Sequence, residues 1–287
     1  MASLKEVKGR IASVNSTRKI TSAMKMVASA KLHKAQAAIE SMLPYERRLH
    51  HILTDFMSNC TEVTSPFIVK REVKKVAVVV FASNTSLCGG FNANVIRHLV
   101  DLLAEYKPLG LENILVFPVG KKVADAVRKL GFRIEGDFQH MADKPSYQEA
   151  AYLAADLMKR FLHGDVDKVE LLYNHFKSTA SQILTRETYL PIDLNNEKKE
   201  EERTIDYILE PSAEELMQEM LPKVLRMKMF TVLLDSNAAE HAARTMAMQI
   251  ATDNANELLQ ELTVMYNKSR QQSITNELLD IVGGSMA

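Results

Sequence analysis

The residues able to do chemistry gather at few places. Ser83-Asn84-Thr85-Ser86-Leu87-Cys88-Gly89-Gly90 follows a β-branched run and precedes a helical stretch. Phosphate-binding turns sit at such positions, because a helix N-terminus offers unpaired N–H groups. This loop lacks the spaced glycines of a dinucleotide fingerprint and the Gly-Lys-Ser/Thr of a P-loop. It is read as a tight turn near a partner contact, with nucleotide binding as the alternative. The histidines offer no metal-ligand spacing: His50 and His51 are adjacent, so they face different ways on a helix. No serine or cysteine stands with a histidine and a carboxylate in a hydrolase motif. No catalytic residue, metal or cofactor is therefore assigned. The two cysteines, Cys60 and Cys88, make no disulfide framework and suit a reducing compartment.

Charge is balanced overall, with Lys+Arg and Asp+Glu both 36, which argues against a dedicated nucleic-acid binder. Its distribution is uneven. From Met1 to Lys34 eight cations (Lys5, Lys8, Arg10, Arg18, Lys19, Lys25, Lys31, Lys34) face Glu6 alone, a net +7. A solvated helix face and an acidic protein partner both fit that surplus. Nucleic acid fits less well, since no aromatic residue is there to stack on bases. The basic, acid-poor start loosely resembles a transit peptide. The same pattern, however, continues for about fifty residues as one helix.

These residues must be positioned by long helices. Pro211 is followed by the capping box Ser212-Ala213-Glu214-Glu215, and no glycine comes until Gly283. A helix from Pro222 to Val282 would be roughly 90 Å long at about 1.5 Å per residue, and a helix of that length needs a partner. Asp253, Glu257, Glu261, Lys268 and Arg270 exclude a membrane span. A second box, Ser3-Leu4-Lys5-Glu6, opens the other end. Behind it Leu4, Val7, Ile11 and Val14 alternate spacings of three and four, as a coiled-coil seam does. The seam slips between Arg18 and Lys25, then resumes at Ala28, Leu32, Ala35, Ile39, Met42, Leu49, Leu53 and Phe56. Pro44 is expected to kink this helix.

The middle alternates. Strands are expected over residues 73–82, 112–119, 132–137, 167–176 and 182–190, the last two as a hairpin. Helices are expected over 92–106, 121–130 and 146–162. Residues 204–209 read as an edge strand. Such alternation implies a parallel sheet with right-handed crossovers. The fold class is thus α/β: a long antiparallel two-helix coiled coil from the terminal helices plus a small central Rossmann-like domain. The boundaries fall at residues 1–58, 59–210 and 211–287. With Phe56 level with Leu221, Leu4 would lie level with residue 273. The long helix would then overhang beyond about Ile274, by roughly 20 Å. Its seam is read as Ala239, Ala243, Met246, Ile250, Leu258, Leu262 and Met265. On the overhang, burying Ile274, Leu278, Leu279, Ile281 and Val282 would be worth about 1.5–3 kcal/mol each. A separate protein is expected to cover them.

Several stretches resemble one known family. Ile20-Thr21-Ser22-Ala23-Met24-Lys25-Met26-Val27-Ala28 with Lys31-Leu32, the Leu87-Cys88-Gly89-Gly90 loop, Glu240-His241-Ala242-Ala243-Arg244 and Ala251-Thr252-Asp253-Asn254-Ala255 are similar to the gamma subunit of F-type ATP synthase. So are Tyr266-Asn267-Lys268-Ser269-Arg270-Gln271 and Ile274-Thr275-Asn276-Glu277-Leu278. Asn84-Thr85-Ser86 departs from the family's usual Asp-Arg-Gly, and the chloroplast dithiol insertion is absent, so a bacterial origin is the simplest fit. The resemblance implies a non-catalytic torque-transmitting stalk. Its coil would stand inside three alpha and three beta subunits, and its foot on the c-ring beside the epsilon subunit. It would be peripheral, on the cytoplasmic face of the inner membrane. It further implies partner contacts at Met24, Lys25 and Lys31, at Leu87, Cys88 and Gly89, at Arg270, Gln271, Thr275 and Glu277, and at Ile274, Leu278 and Ile281. An α/β enzyme that binds a nucleotide or small molecule and oligomerises through coiled-coil arms, and a coiled-coil adaptor, are the competing readings.

Overall fold

The computed structural model describes residues 4–59, 65–192 and 213–284. At its centre lies β1 (Val76–Phe81), six residues without a polar side chain and all buried. A strand buried on both faces must be apolar on both. Its even-numbered residues Val76, Val78 and Val80 meet Val95, Leu99 and Leu103 of α2 (Phe91–Tyr106) and Val123 and Val127 of α3 (Lys121–Leu130). Its odd-numbered residues Ala77, Val79 and Phe81 meet the opposite layer. That layer includes Leu153, Leu157 and Phe161 of α5 (Tyr147–His163), and Leu225 and Leu233 of α6 (Ala213–Gly284).

The sheet order is β3-β2-β1-β4-β5. β2 (Ile114–Val119) and β4 (Lys168–Ser178) flank β1 in parallel, β3 (Arg133–Ile134) lies parallel beyond β2, and β5 (Ser181–Leu190) closes an antiparallel hairpin with β4. The hairpin reading holds, as do the parallel strands. The strand expected over 132–137 shrinks to two residues, and the one over 73–82 begins at Val76. A short helix, α4 (Gln139–Asp143), stands where none was expected. The strand read at 204–209 and the serines of both capping boxes lie outside the described residues. On β4, Glu170 is buried between Lys168 (2.6 Å), Arg186 (3.0 Å) and the Tyr106 hydroxyl (2.9 Å). Burial alone would raise its pKa, but the hydrogen bonds from Arg186 and Lys168 hold it below the usual carboxylate range.

The terminal helices α1 (Leu4–Asn59) and α6 pair with each other, and each continues through its proline, Pro44 and Pro222. On α1, Leu4, Val7, Ile11, Val14, Arg18, Thr21, Lys25, Ala28, Leu32, Ala35, Ile39 and Met42 are all buried or half-buried. That is unbroken alternation of three and four. The slip read between Arg18 and Lys25 is therefore chemical and not geometric: polar side chains occupy seam positions there. Thr21 and Thr252 hydroxyls meet at 2.9 Å, and Arg18 donates to Asn256 Oδ1 at 3.4 Å.

Lower down, Leu32 and Ala35 pack on Ala238 and Ala242. The α6 seam thus runs through Ala238, Ala242, Thr245, Met248, Thr252, Ala255, Leu259, Leu262, Tyr266 and Ser269. Of the residues expected there, only Leu262 belongs. Ala239 is buried against Cys88 and Phe91, while Ile250, Leu258 and Met265 are 54%, 43% and 49% exposed. The register is also corrected. These pairs bring Leu4 level with about residue 269, roughly one helical turn short of the expectation. Every residue from Arg270 to Val282 is exposed.

Candidate functional site

In an open α/β sheet a ligand sits beyond the carboxyl ends of the strands, where the strand order reverses. Here the order reverses at β1, and α6 fills that crevice. Leu233, Ser236, Asn237 and Glu240 face Phe81, Ala82, Val119 and Ala142 around a cavity of about 10 Å³, barely room for one water. The loop after β1 is held from within. Asn92 accepts from the Ser83 N–H (3.1 Å) and donates to Ser83 Oγ (2.7 Å). Asn84 donates to Asp143 Oδ2 (2.6 Å) and accepts from the Lys121 N–H (2.8 Å). An aspartate at 84 could not donate, which gives the departure from the family pattern a physical reason.

The loop then meets the shaft. Arg244 donates to the Ser86 carbonyl and pairs with Glu240 at 2.7 Å, both side chains buried. Cys88, 2% exposed, is packed between Phe91 and Ala239. Its side chain is used in the chain's own interior. Gly89 lies over Ala247. Leu87, with φ of 68°, is 60% exposed and alone keeps the loop's apolar side chain outward.

Next to this contact His241 is buried, and its Nδ1 has no hydrogen-bond partner among the described residues. Burial first, then the positive charges of Lys31 and Arg244, push its pKa down to about 4, with Asp143 opposing. The unfolded imidazole takes up its proton near pH 6.5. Stability from the neutral folded form is therefore present above about pH 6.5 and is lost as pH falls towards 4. His241→Leu is expected to remove this dependence. The difference in unfolding free energy between wild type and variant should change by about 2 kcal/mol between pH 7 and 4.5, read from denaturant melts. Burial raises the Glu240 pKa, which acts in the opposite sense in both proteins and drops out of the difference.

The predicted contact residues fall into separate stations. Met24 is half-buried beside the seam, Lys25 is a half-buried seam residue, and Lys31 is exposed. Near Lys25, Arg18, Lys19, Ser22, Thr252 and Asn256 line an open groove of about 260 Å³. Arg270, Gln271, Thr275 and Glu277 are exposed on the overhang, with Thr275 Oγ1 donating within its helix to the Gln271 carbonyl at 2.9 Å. Ile274, Leu278 and Ile281 are 49%, 58% and 68% exposed. The structure adds outward apolar side chains that the sequence reading missed or took for seam: Ile20, Met26 and Val27 on α1, and Ile250, Leu258, Val264 and Met265 on α6. Their signal was present. Ile20 and Val27, like Leu258 and Met265, recur at seven residues off the inner rows.

Among the described residues no helix is long and apolar enough to cross a membrane. A family model described as ATP synthase matches residues 3–287. ATP synthase gamma chains of Phocaeicola vulgatus and Bacteroides fragilis are 82% and 65% identical to this chain, each alignment covering 100% of both proteins. A chain of the Euglena gracilis mitochondrial ATP synthase, in a structure of its OSCP, F1 and c-ring, superposes with a TM-score of 0.65 over 99% of this chain and 93% of that one. At 21% identity that is a likeness of fold. On its full-length identity to these gamma chains, this chain belongs to the ATP synthase gamma chain family.

Proposed function

We propose that this chain is the central shaft of a bacterial F-type ATP synthase. It transmits torque between a proton-driven c-ring in the membrane and three alpha and three beta subunits that carry the catalytic sites. Its foot stands beside the epsilon subunit on the cytoplasmic face of the inner membrane. The observation that carries this reading is the bare end of the coil. Among the described residues no helix covers α6 from Arg270 onward, yet Ile274, Leu278, Leu279 and Ile281 are apolar and 49–68% exposed. Large exposed apolar patches mark interaction sites. Ile250, Leu258, Val264 and Met265 extend that surface down the shaft, as a surrounding ring requires. A shaft biases three identical sites differently only by touching each one differently. An unevenly apolar two-helix rod with an off-centre single-helix tip does so.

Met24, Lys25 and Lys31 face lever-like acidic segments of the beta subunits. Arg270, Gln271, Thr275 and Glu277 contact the ring higher up, and Ile274, Leu278 and Ile281 run in an apolar collar. The enzyme reading is disfavoured by the filled crevice beyond β1. Met24→Lys adds a cation to a face already holding Lys25 and Lys31. It is expected to lower protons pumped per ATP at least threefold while ATP hydrolysis continues; normal coupling contradicts the Met24 contact. The function is tested by purifying the membrane complex through a tag on this chain. Alpha, beta, epsilon and c subunits are expected with it, alpha and beta in threefold excess. Recovery of the chain alone, with saturable micromolar nucleotide binding, favours the enzyme, and recovery with unrelated proteins favours the adaptor.

A further inference from the structure

Along the sheet, α6 is held chiefly by apolar packing, through Met217, Leu221, Leu225, Met229 and Leu233. Such packing is non-directional, so it sets no hydrogen-bonded stop against slippage of the helix along the sheet. Polar ties there include Tyr189 O–H to the Leu225 carbonyl (2.8 Å) and Lys228 to Glu187 (2.8 Å), both to β5. Between Asp235 and Arg244 the character changes. Asp235 accepts from the Phe176 N–H (2.8 Å) and pairs with His175 Nδ1 (2.6 Å), gripping the far end of β4. Asn237 donates to the Ala142 carbonyl of α4 at 2.7 Å. Arg244, braced by Glu240, donates to the Ser86 carbonyl in the loop after β1. Phe176 is a wedge among these ties, touching both the Leu32–Ala238 contact and the Cys88–Ala239 contact. Three separate parts of the domain are thus tied, in different directions, to fewer than three turns of one helix. This is where the shaft leaves the sheet.

We propose that Asp235, Asn237 and Arg244 key the α/β domain to the shaft, so that torque passes between them at this station and not along the apolar packing below it. They are positioning residues, acting through the loop after β1, α4 and the end of β4. The inference rests on the shaft reading of the chain. Loaded against a sheet without the key, the helix slips, and part of each step is lost inside the chain.

The test uses the complete complex in membrane vesicles, with Cys60 and Cys88 replaced by serine and alanine as the parent. Asp235→Ala/Arg244→Gln is expected to keep ATP hydrolysis within twofold of the parent while protons pumped per ATP hydrolysed fall at least threefold. A re-tie distinguishes this from general damage. A Cβ at Gly89 would lie 3.8 Å from the Ala247 Cβ, a separation a disulfide accepts. Adding Gly89→Cys/Ala247→Cys and oxidising is expected to restore pumping per ATP to within twofold of the parent, and reduction to abolish the recovery. Unchanged pumping per ATP in the double variant overturns the key. So does failure of a fully formed disulfide, counted by thiol labelling, to restore it. If the double variant does not assemble, the single Arg244→Gln variant is read by the same two criteria. A parent complex that lacks this chain, or does not pump, overturns the shaft reading instead.

Discussion

Gly120→Ala is expected to unfold the α/β domain or to lower its unfolding free energy by at least about 4 kcal/mol, the upper range for single substitutions. Gly120 follows β2 with φ of 111°, and a Cβ there would lie 2.1 Å from the Ala82 carbonyl oxygen and 2.7 Å from its carbon. Those are backbone atoms, so no rotamer change relieves the overlap. Moving them would break the bonds that stitch the two loops together, from the Ala82 N–H to the Val119 carbonyl (2.8 Å) and from the Lys122 N–H to the Ser83 carbonyl (3.1 Å). The loop presenting Ser86 to Arg244 would move with them. Gly131 is the control. Its φ is 76° but a Cβ there meets nothing within 4 Å, so Gly131→Ala should cost only about 1 kcal/mol of backbone preference. Urea melts of the two variants measure the difference. Equal costs would show that the close approach of the two loops is not as described.

Removing residues 274–287 is expected to have the largest effect on function and almost none on stability. The residues from Arg270 to Val282 are exposed, so the chain loses little of its own packing, and its melting temperature should stay within about 2 °C, as for surface changes. In the complex the lost apolar surface is worth several kcal/mol even after the costs of association, at about 1.5–3 kcal/mol per side chain buried. Protons pumped per ATP should fall at least fivefold in vesicles. Full coupling with a shortened shaft would remove the tip from the contact surface. A large drop in melting temperature would show that the tip packs on its own chain.

The heart of the central domain was legible because β1 and β2 are apolar runs buried throughout, with turn residues at their ends. The hairpin of β4 and β5 followed from two adjacent strand-like runs, and helix α3 from its spaced apolar residues Val123, Ala124 and Val127. α4 was missed because one turn, Gln139–Asp143, shows no periodicity. The coiled coil was legible as an object but not in detail. On α6 the inner row carries Thr245, Thr252 and Ser269, while Ile250, Leu258 and Met265 point outward. Reading apolar as inward fails on a rod that is covered by its own partner on one side and by other proteins on the rest. The same ambiguity made polar seam residues at Arg18 and Lys25 look like a slip. Register failed by a turn because it was anchored at the domain edge, on Phe56 and Leu221, and not within the seam at Thr21 and Thr252. The burial of Cys88 against Ala239 is not legible in its loop. Only the fold reveals that α6 already occupies that place.

The central claim is that the two ends of the chain wind into one shaft whose uncovered tip is sheathed by other subunits. Electron cryomicroscopy of the complex purified through this chain tests it most directly. The account predicts α1 wound on α6 with Thr21 against Thr252, and residues 274–282 enclosed by alternating alpha and beta subunits, with the sheet at the c-ring end. Terminal helices that are separated, or a tip left in solvent outside the ring, would contradict it.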